Sequence, residues 1–177
     1  KNENDSSKEA EVKNTESSAE QKDPAQEASD LKELQDLDDQ LVKNDLTIDL
    51  NVAKELYTRA TSFNRDYPNS ENTETVLSYA AKGAEDLGNY SEAVEILHRM
   101  ANDIPESNKT AVYMYNKGKI LEEKMNKKEA AKAAYKDLIK RFPRNPLSKS
   151  MKSYLSKGMI DMTKEEKIKY LQELNQD

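Results

Sequence analysis

The sequence predicts an all-α fold: a short array of antiparallel helical hairpins behind a disordered N-terminal tail. Three observations carry that expectation. Helix formers fill the 177 residues, while breakers are scarce, with four Gly and five Pro. From Leu31 onward, apolar residues recur at steps of three and four, the spacing that gathers side chains on one helix face. Pro68, Pro105 and Pro143 lie 37 and 38 residues apart, each preceded by an aromatic or aliphatic residue. A period of this size, made of helix pairs, marks a repeat array.

Composition also limits function. Charged residues make up 35% of the chain and the mean hydropathy is −1.03, with room for one ordinary domain and a tail. There is no Cys, hence no disulfide, zinc-thiolate site or thiol nucleophile. No apolar run approaches the roughly 20 residues needed to span a bilayer. The nine Tyr and many Ala suit closely packed short helices. The first residue is Lys1, so the chain is expected to follow a cleavage or a cut from something longer.

Residues 1–28 contain only Val12 and four Ala as apolar residues among Ser, Glu, Lys and Asn. Such a segment buries too little to offset its ordering entropy, and is expected to be a disordered acidic tether. The folded domain is expected over 29–177. A first helix starts near Asp30, capped by Ser29 or Asp30, with Leu31, Leu34, Leu37, Leu41 and Val42 on one face. Asn44-Asp45 breaks it. The second carries Leu50, Ala53, Leu56, Tyr57, Ala60 and Phe63, and stops at Tyr67-Pro68, because a residue before proline is pushed out of the α region.

The third helix, 73–87, packs through Leu77, Ala80, Ala81 and Ala84 and ends at the Gly88-Asn89 turn. The fourth carries Ala93, Val94, Leu97 and Met100 up to Ile104-Pro105. The fifth, 109–125, has Val112, Tyr115 and Leu121, with Met114 beside them. The sixth, 127–142, has Ala130, Ala131, Ala134, Tyr135, Leu138 and Ile139. A seventh spans 146–157, and the eighth opens with Thr163 and Glu166 in a capping box. Its stripe of Ile168, Leu171 and Leu174 is expected to cover the open end of the array.

Leu77, Ala80, Ala81, Ala84, Gly88, Tyr90, Ala93, Leu97 and Pro105 fall at spacings that resemble the tetratricopeptide consensus. Met114, Gly118, Leu121, Lys128, Ala130 and Pro143 repeat it with one extra residue, expected in the second helix or the turn. The first unit keeps Leu56, Ala60, Phe63 and Pro68. The resemblance covers roughly 31–145 and implies a right-handed α-solenoid that holds another protein or peptide segment in a concave groove. It further implies that residues off the packing stripe of each first helix read the ligand: Ser78, Lys82 and Glu85 in the middle unit, and Tyr115, Lys119 and Glu122 in the next.

The closings Phe63-Asn-Arg-Asp-Tyr-Pro-Asn-Ser, Ile104-Pro-Glu-Ser and Arg141-Phe-Pro-Arg-Asn-Pro are also similar to those of bacterial envelope tetratricopeptide proteins. That likeness implies a periplasmic lipoprotein anchored to the outer membrane through a cysteine outside this sequence. A cytoplasmic regulatory or chaperone-like module is the alternative it leaves open.

No enzymatic activity, cofactor or metal site is expected. His98, the one histidine, sits on the fourth helix without a positioned partner, and a general base needs one. The carboxylate pairs 38–39, 85–86, 122–123 and 165–166 are adjacent, so each pair diverges on a helix and is expected on a solvated face. Asp45–Asp49 lacks the Gly and closing Glu of a calcium loop. Residues 31–108 carry seven basic and sixteen acidic side chains, whereas 109–157 carry fourteen basic and four acidic. The basic half, with Tyr113, Tyr115, Tyr135 and Tyr154, is a weak nucleic-acid footprint, since those tyrosines fall at packing intervals. An acidic partner segment or an anionic surface suits it better, and no nucleic-acid partner is expected.

Overall fold

The computed structural model describes residues 23–43, 46–105 and 107–174. The N-terminal tether lies mostly outside these residues. Helix α1 (Pro24–Gln40) begins earlier than expected: Asp23, not Ser29 or Asp30, caps it by accepting from the Ala25 N–H, and Pro24 supplies a preset first turn. Seven further helices follow: α2 (Leu50–Asp66), α3 (Thr73–Asp86), α4 (Tyr90–Asp103), α5 (Thr110–Lys119), α6 (Lys128–Arg141), α7 (Pro146–Ser156) and α8 (Lys164–Leu174). Successive helices pack on one another from α1 to α7, and α1 also meets α3, as α5 meets α7. First helices of each hairpin therefore form one layer and second helices the other, as in a helical-repeat solenoid.

The repeat is visible atom by atom at the hairpin ends. Tyr67, Ile104 and Phe142 close α2, α4 and α6 with φ/ψ of −128/65, −124/57 and −127/59. Each precedes a proline, which excludes the α region there. Their N–H groups reach the carbonyls of Phe63, Met100 and Leu138, three buried equivalents. Two residues after each proline stands a short polar side chain that opens the next hairpin. Ser70 accepts from the Asn72 N–H at 3.0 Å, Ser107 from Lys109 at 3.1 Å and Asn145 from Leu147 at 2.9 Å. A side-chain acceptor here satisfies N–H groups that a helix start leaves orphaned.

One continuous core runs from Leu34 to Leu138, and a smaller one at the C-terminal end joins Leu121, Ala131, Ala134, Tyr135 and Ile160. Most of the expected faces are inside. Leu50 (58% exposed), Val42 (47%) and Val112 (41%) are not, while Val76, Ile96, Ala101, Ala111 and Tyr113 are buried in their stead. Ala130 is exposed as well.

The extra residue of the third unit sits neither in its second helix nor in the turn. It is absorbed in a π-helical turn, Ile120–Lys124, at the end of α5, where the Met125 N–H reaches the Ile120 carbonyl. A π turn accommodates one added residue while the hairpin keeps its shape. The following turn is held by Asn126 at φ 52, as Gly88 at φ 77 holds its counterpart.

The C-terminal end also departs from expectation. Thr163 and Glu166 form the capping box of α8, at 2.7 and 3.2 Å. Yet Ile168 and Leu171 remain 48% and 49% exposed, so this stripe does not cover the array. Ile160, in a 3-10 turn at Met159–Asp161, does so instead, 1% exposed against Leu121, Ala131 and Tyr135. Among the described residues no helix is long and apolar enough to cross a membrane.

Candidate partner-binding face

Adjacent carboxylates stand at the C-terminal ends of the first-layer helices: Asp38-Asp39 in α1, Glu85-Asp86 in α3 and Glu122-Glu123 in the π turn after α5. Negative charge there opposes the helix dipole, whose C-terminal end is itself negative. Neither α1 nor α3 has a basic residue in its last turn to offset this. Acid placed against the dipole, three times along one edge, needs cations from elsewhere.

Within the chain those cations are partly supplied. Lys82 of α3 reaches across to Asp38 of α1 at 2.6 Å. Asp86, one turn beyond Lys82, has a buried Oδ2 with no hydrogen-bond partner. Burial pushes its carboxyl above the ordinary carboxylate range, and Asp38 adds to the rise, while Lys82 and Lys124 pull against it. Glu122 is the most enclosed of the acids, its side chain 8% exposed. It accepts from the Tyr135 hydroxyl at 3.2 Å, from the Tyr154 hydroxyl, and from Lys167 of α8 at 2.7 Å.

The six residues assigned to the groove divide accordingly. Lys82 and Glu122 belong to this edge, but Glu122 is spent inside the chain rather than facing solvent. Ser78 donates to the Thr75 carbonyl of its own helix at 2.6 Å. Glu85 is half-buried beside Asp86. Tyr115 is half-buried, its ring tilted against Tyr135 at 6.2 Å between centroids. Lys119 is exposed, 4.0 Å from Glu123 in the π turn that follows it.

Asp38, Asp86, Tyr154 and Lys167 complete the edge; sequence places the two acids on a solvated face and Tyr154 at a packing interval, and does not mark Lys167. The reading of the carboxylate pairs as solvated is corrected for three of the four: Asp38 and Glu122 turn in while Asp39 and Glu123 stay outside, Glu85 and Asp86 are both half-buried, and only Glu165 and Glu166 are both exposed. The signal was the pairs' recurrence just before hairpin turns. Tyr113, Tyr135 and Tyr154 spend their hydroxyls on Glu74 or Glu122, which fixes their rings within the packing.

Elsewhere, His98 is exposed on α4, with Asn102 at 3.2 Å and Lys117 at 3.3 Å as its neighbours. A proton-transfer pair needs a group that orients the imidazole, and neither neighbour is a carboxylate. Among the described residues, no three or more His, Cys, Asp or Glu side chains converge on a metal position.

The edge lies on helices with the pattern of a known repeat. The tetratricopeptide-repeat family model matches residues 113–145. That span is α5 from Tyr113 onward with its π turn, α6, and the closing up to Asn145. No curated protein matches the chain. The matched hairpin is similar to a tetratricopeptide repeat, a motif that suggests protein–protein interaction, and α3–α4 closes with the same backbone geometry one unit earlier.

Proposed function

We propose that this protein is a non-enzymatic scaffold that holds a segment of another protein along the acidic edge of its first-layer helices, tethered by its N-terminus in a bacterial cell envelope. The observation that carries the holding role is Asp86. A buried carboxylate oxygen without a donor costs folding free energy, and a donor from a partner segment would offset that cost. The donors it lacks are those of a lysine, an arginine or a backbone N–H.

The short array limits the contact to a short stretch of peptide, extended or helical. The acidic first half and basic second half of the chain favour one orientation of a bipolar segment and speed its encounter. Support for the envelope placement is compositional: the Ser- and Glu-rich stretch 1–28 and the proline closings resemble those of envelope tetratricopeptide lipoproteins.

In-cell cross-linking with mass spectrometry on the full-length native protein tests both parts. Links from Lys82, Lys117 or Lys119 to one envelope protein are expected. Links to cytoplasmic proteins alone would overturn the placement and leave a cytoplasmic binding module. Links confined to the chain itself would overturn the holding role.

A further inference from the structure

Helix α8 is anchored in an unusual way. No described side chain of it is fully buried, its backbone packs extensively against no other helix, and Ile168 and Leu171 face solvent. Its tie to the array is polar. The Lys167 ammonium lies 2.7 Å from Glu122 and 5.2 Å above the centroid of the Tyr154 ring. A second, looser tie is Lys157 of the α7 end, 5.7 Å over the ring of Tyr170.

The receiving side is the opposite: built and buried. Glu122 sits in the π turn, held by the hydroxyls of Tyr135 and Tyr154, and the Tyr135 ring packs edge-on to Tyr154 at 6.3 Å. An enclosed carboxylate beside an aromatic face is the combination that selects an ammonium over a neutral donor. The chain thus contains a preorganised lysine site at the end of its acidic edge, and the lysine in it is delivered by the element with least other reason to stay.

We propose that Glu122, Tyr135 and Tyr154 form an ammonium-binding site for a lysine of the partner's segment, and that α8 is its built-in occupant, which that lysine displaces. This rests on the scaffold reading above and names the chemistry its ligand needs. Glu122 and Tyr154 favour the charged form of Lys167, raising its pKa although burial opposes them, so a bound lysine stays an ammonium at neutral pH. Displacement exchanges one ion pair for another, which keeps the cost of opening low. Release of α8 also frees a helix with an exposed apolar stripe.

The test uses the purified full chain and a synthetic peptide of residues 163–174 as the probe in trans. Amide exchange in α8 is expected to quicken in Lys167→Met, with protection across 50–141 unchanged. The same variant should bind the probe about tenfold more tightly than the wild-type chain does, the effect of losing about one charged hydrogen bond from the competing helix. A probe carrying Met in place of its Lys167 should not bind, and the double variant Glu122→Gln/Lys167→Met should lose the gain. Equal probe affinity in wild type and Lys167→Met, or α8 exchange that does not respond, would overturn the proposal. Because Lys167 is partly exposed on α8, its replacement leaves the core intact and the result interpretable even if the Glu122 variant unfolds. Since no partner is needed, failure here is separable from failure of the scaffold reading, which the cross-links decide.

Discussion

Gly118 and Tyr135 touch through the hydrogen that a side chain would replace: a Cβ on Gly118 would fall 2.3 Å from Cε1 of the tyrosine ring. Tyr135 is 3% exposed and fixed at its far end by Glu122, so the ring has nowhere to retreat. Gly118→Ala is therefore expected to destabilise the protein by about 1–3 kcal/mol, the usual cost of overpacking. The midpoint of thermal unfolding should fall by about 2–4 °C for each kcal/mol. Pairing it with Tyr135→Leu should recover part of the loss, and strict additivity of the two changes would disprove the contact.

The hairpin geometry was legible because the sequence states it three times. Proline after Tyr67, Ile104 and Phe142 forces the same backbone exit each time, and a Ser or Asn two residues later restarts the chain. The π turn was not legible in place. An extra residue is evident from the proline spacing, but a helix end, a turn and a second helix absorb it at similar cost. Faces slipped where one residue decides: Val112 and Ala111 are neighbours, and a turn of about 100° per residue exchanges inside for outside. The site was half legible. Position on the first helix identified Lys82 and Glu122, whereas α8's contribution depends on a contact 45 residues apart in the chain, which no local pattern encodes.

Asp86 carries a prediction of opposite sign to most mutations. Its carboxyl is raised by burial, so the folded state holds its proton more tightly than the unfolded chain does. Stability is then full below the ordinary value of 3.8 and falls as pH rises through the raised one. At neutral pH the charge is a burden. Asp86→Asn is expected to stabilise the protein at pH 7 by about 1 kcal/mol, a conservative share of an unsatisfied polar group's cost. The gain should shrink toward pH 3, and the same variant should weaken partner cross-links. A melting midpoint that is unchanged or lower at pH 7 would argue against a burdened carboxylate.

Glu74 behaves the other way. At the start of α3 it accepts from the hydroxyls of Ser107 and Tyr113, joining the middle hairpin to the next. Those hydrogen bonds hold its carboxyl below the usual range, against a smaller opposing effect of burial. Its contribution is complete above its unfolded value of 4.5 and is lost as pH falls through the depressed folded one. Glu74→Gln should therefore lower stability at pH 7 and flatten the acid limb of the stability curve below pH 4.5. A variant whose acid limb runs parallel to that of the wild type would show that Glu74 does not titrate with folding.

Alkaline pH offers the last test, through the tyrosines. Burial first, and then hydrogen bonding to carboxylates, pushes Tyr67 beside Asp30 and Tyr154 beside Glu122 up to about 12 from 10.0. The Tyr67 hydroxyl donates to Asp30 at 2.7 Å, a bond its phenolate could not make. In the unfolded chain both phenols ionise near 10, so the folded state retains protons that the unfolded state has shed. Stability from these groups is complete below pH 10 and drains away between 10 and 12. Tyr67→Phe and Tyr154→Phe should each lower stability at pH 8 and reduce its slope between pH 10 and 11.5, as measured by urea unfolding. The two should differ in place: Tyr67→Phe should loosen α1 from α2, whereas Tyr154→Phe should speed exchange in α8, because the ring under Lys167 has lost the hydroxyl that positions Glu122. If Tyr154→Phe leaves α8 exchange as it was while Lys167→Met accelerates it, the ammonium is held by Glu122 and the ring face alone, and the phenol serves only the fold.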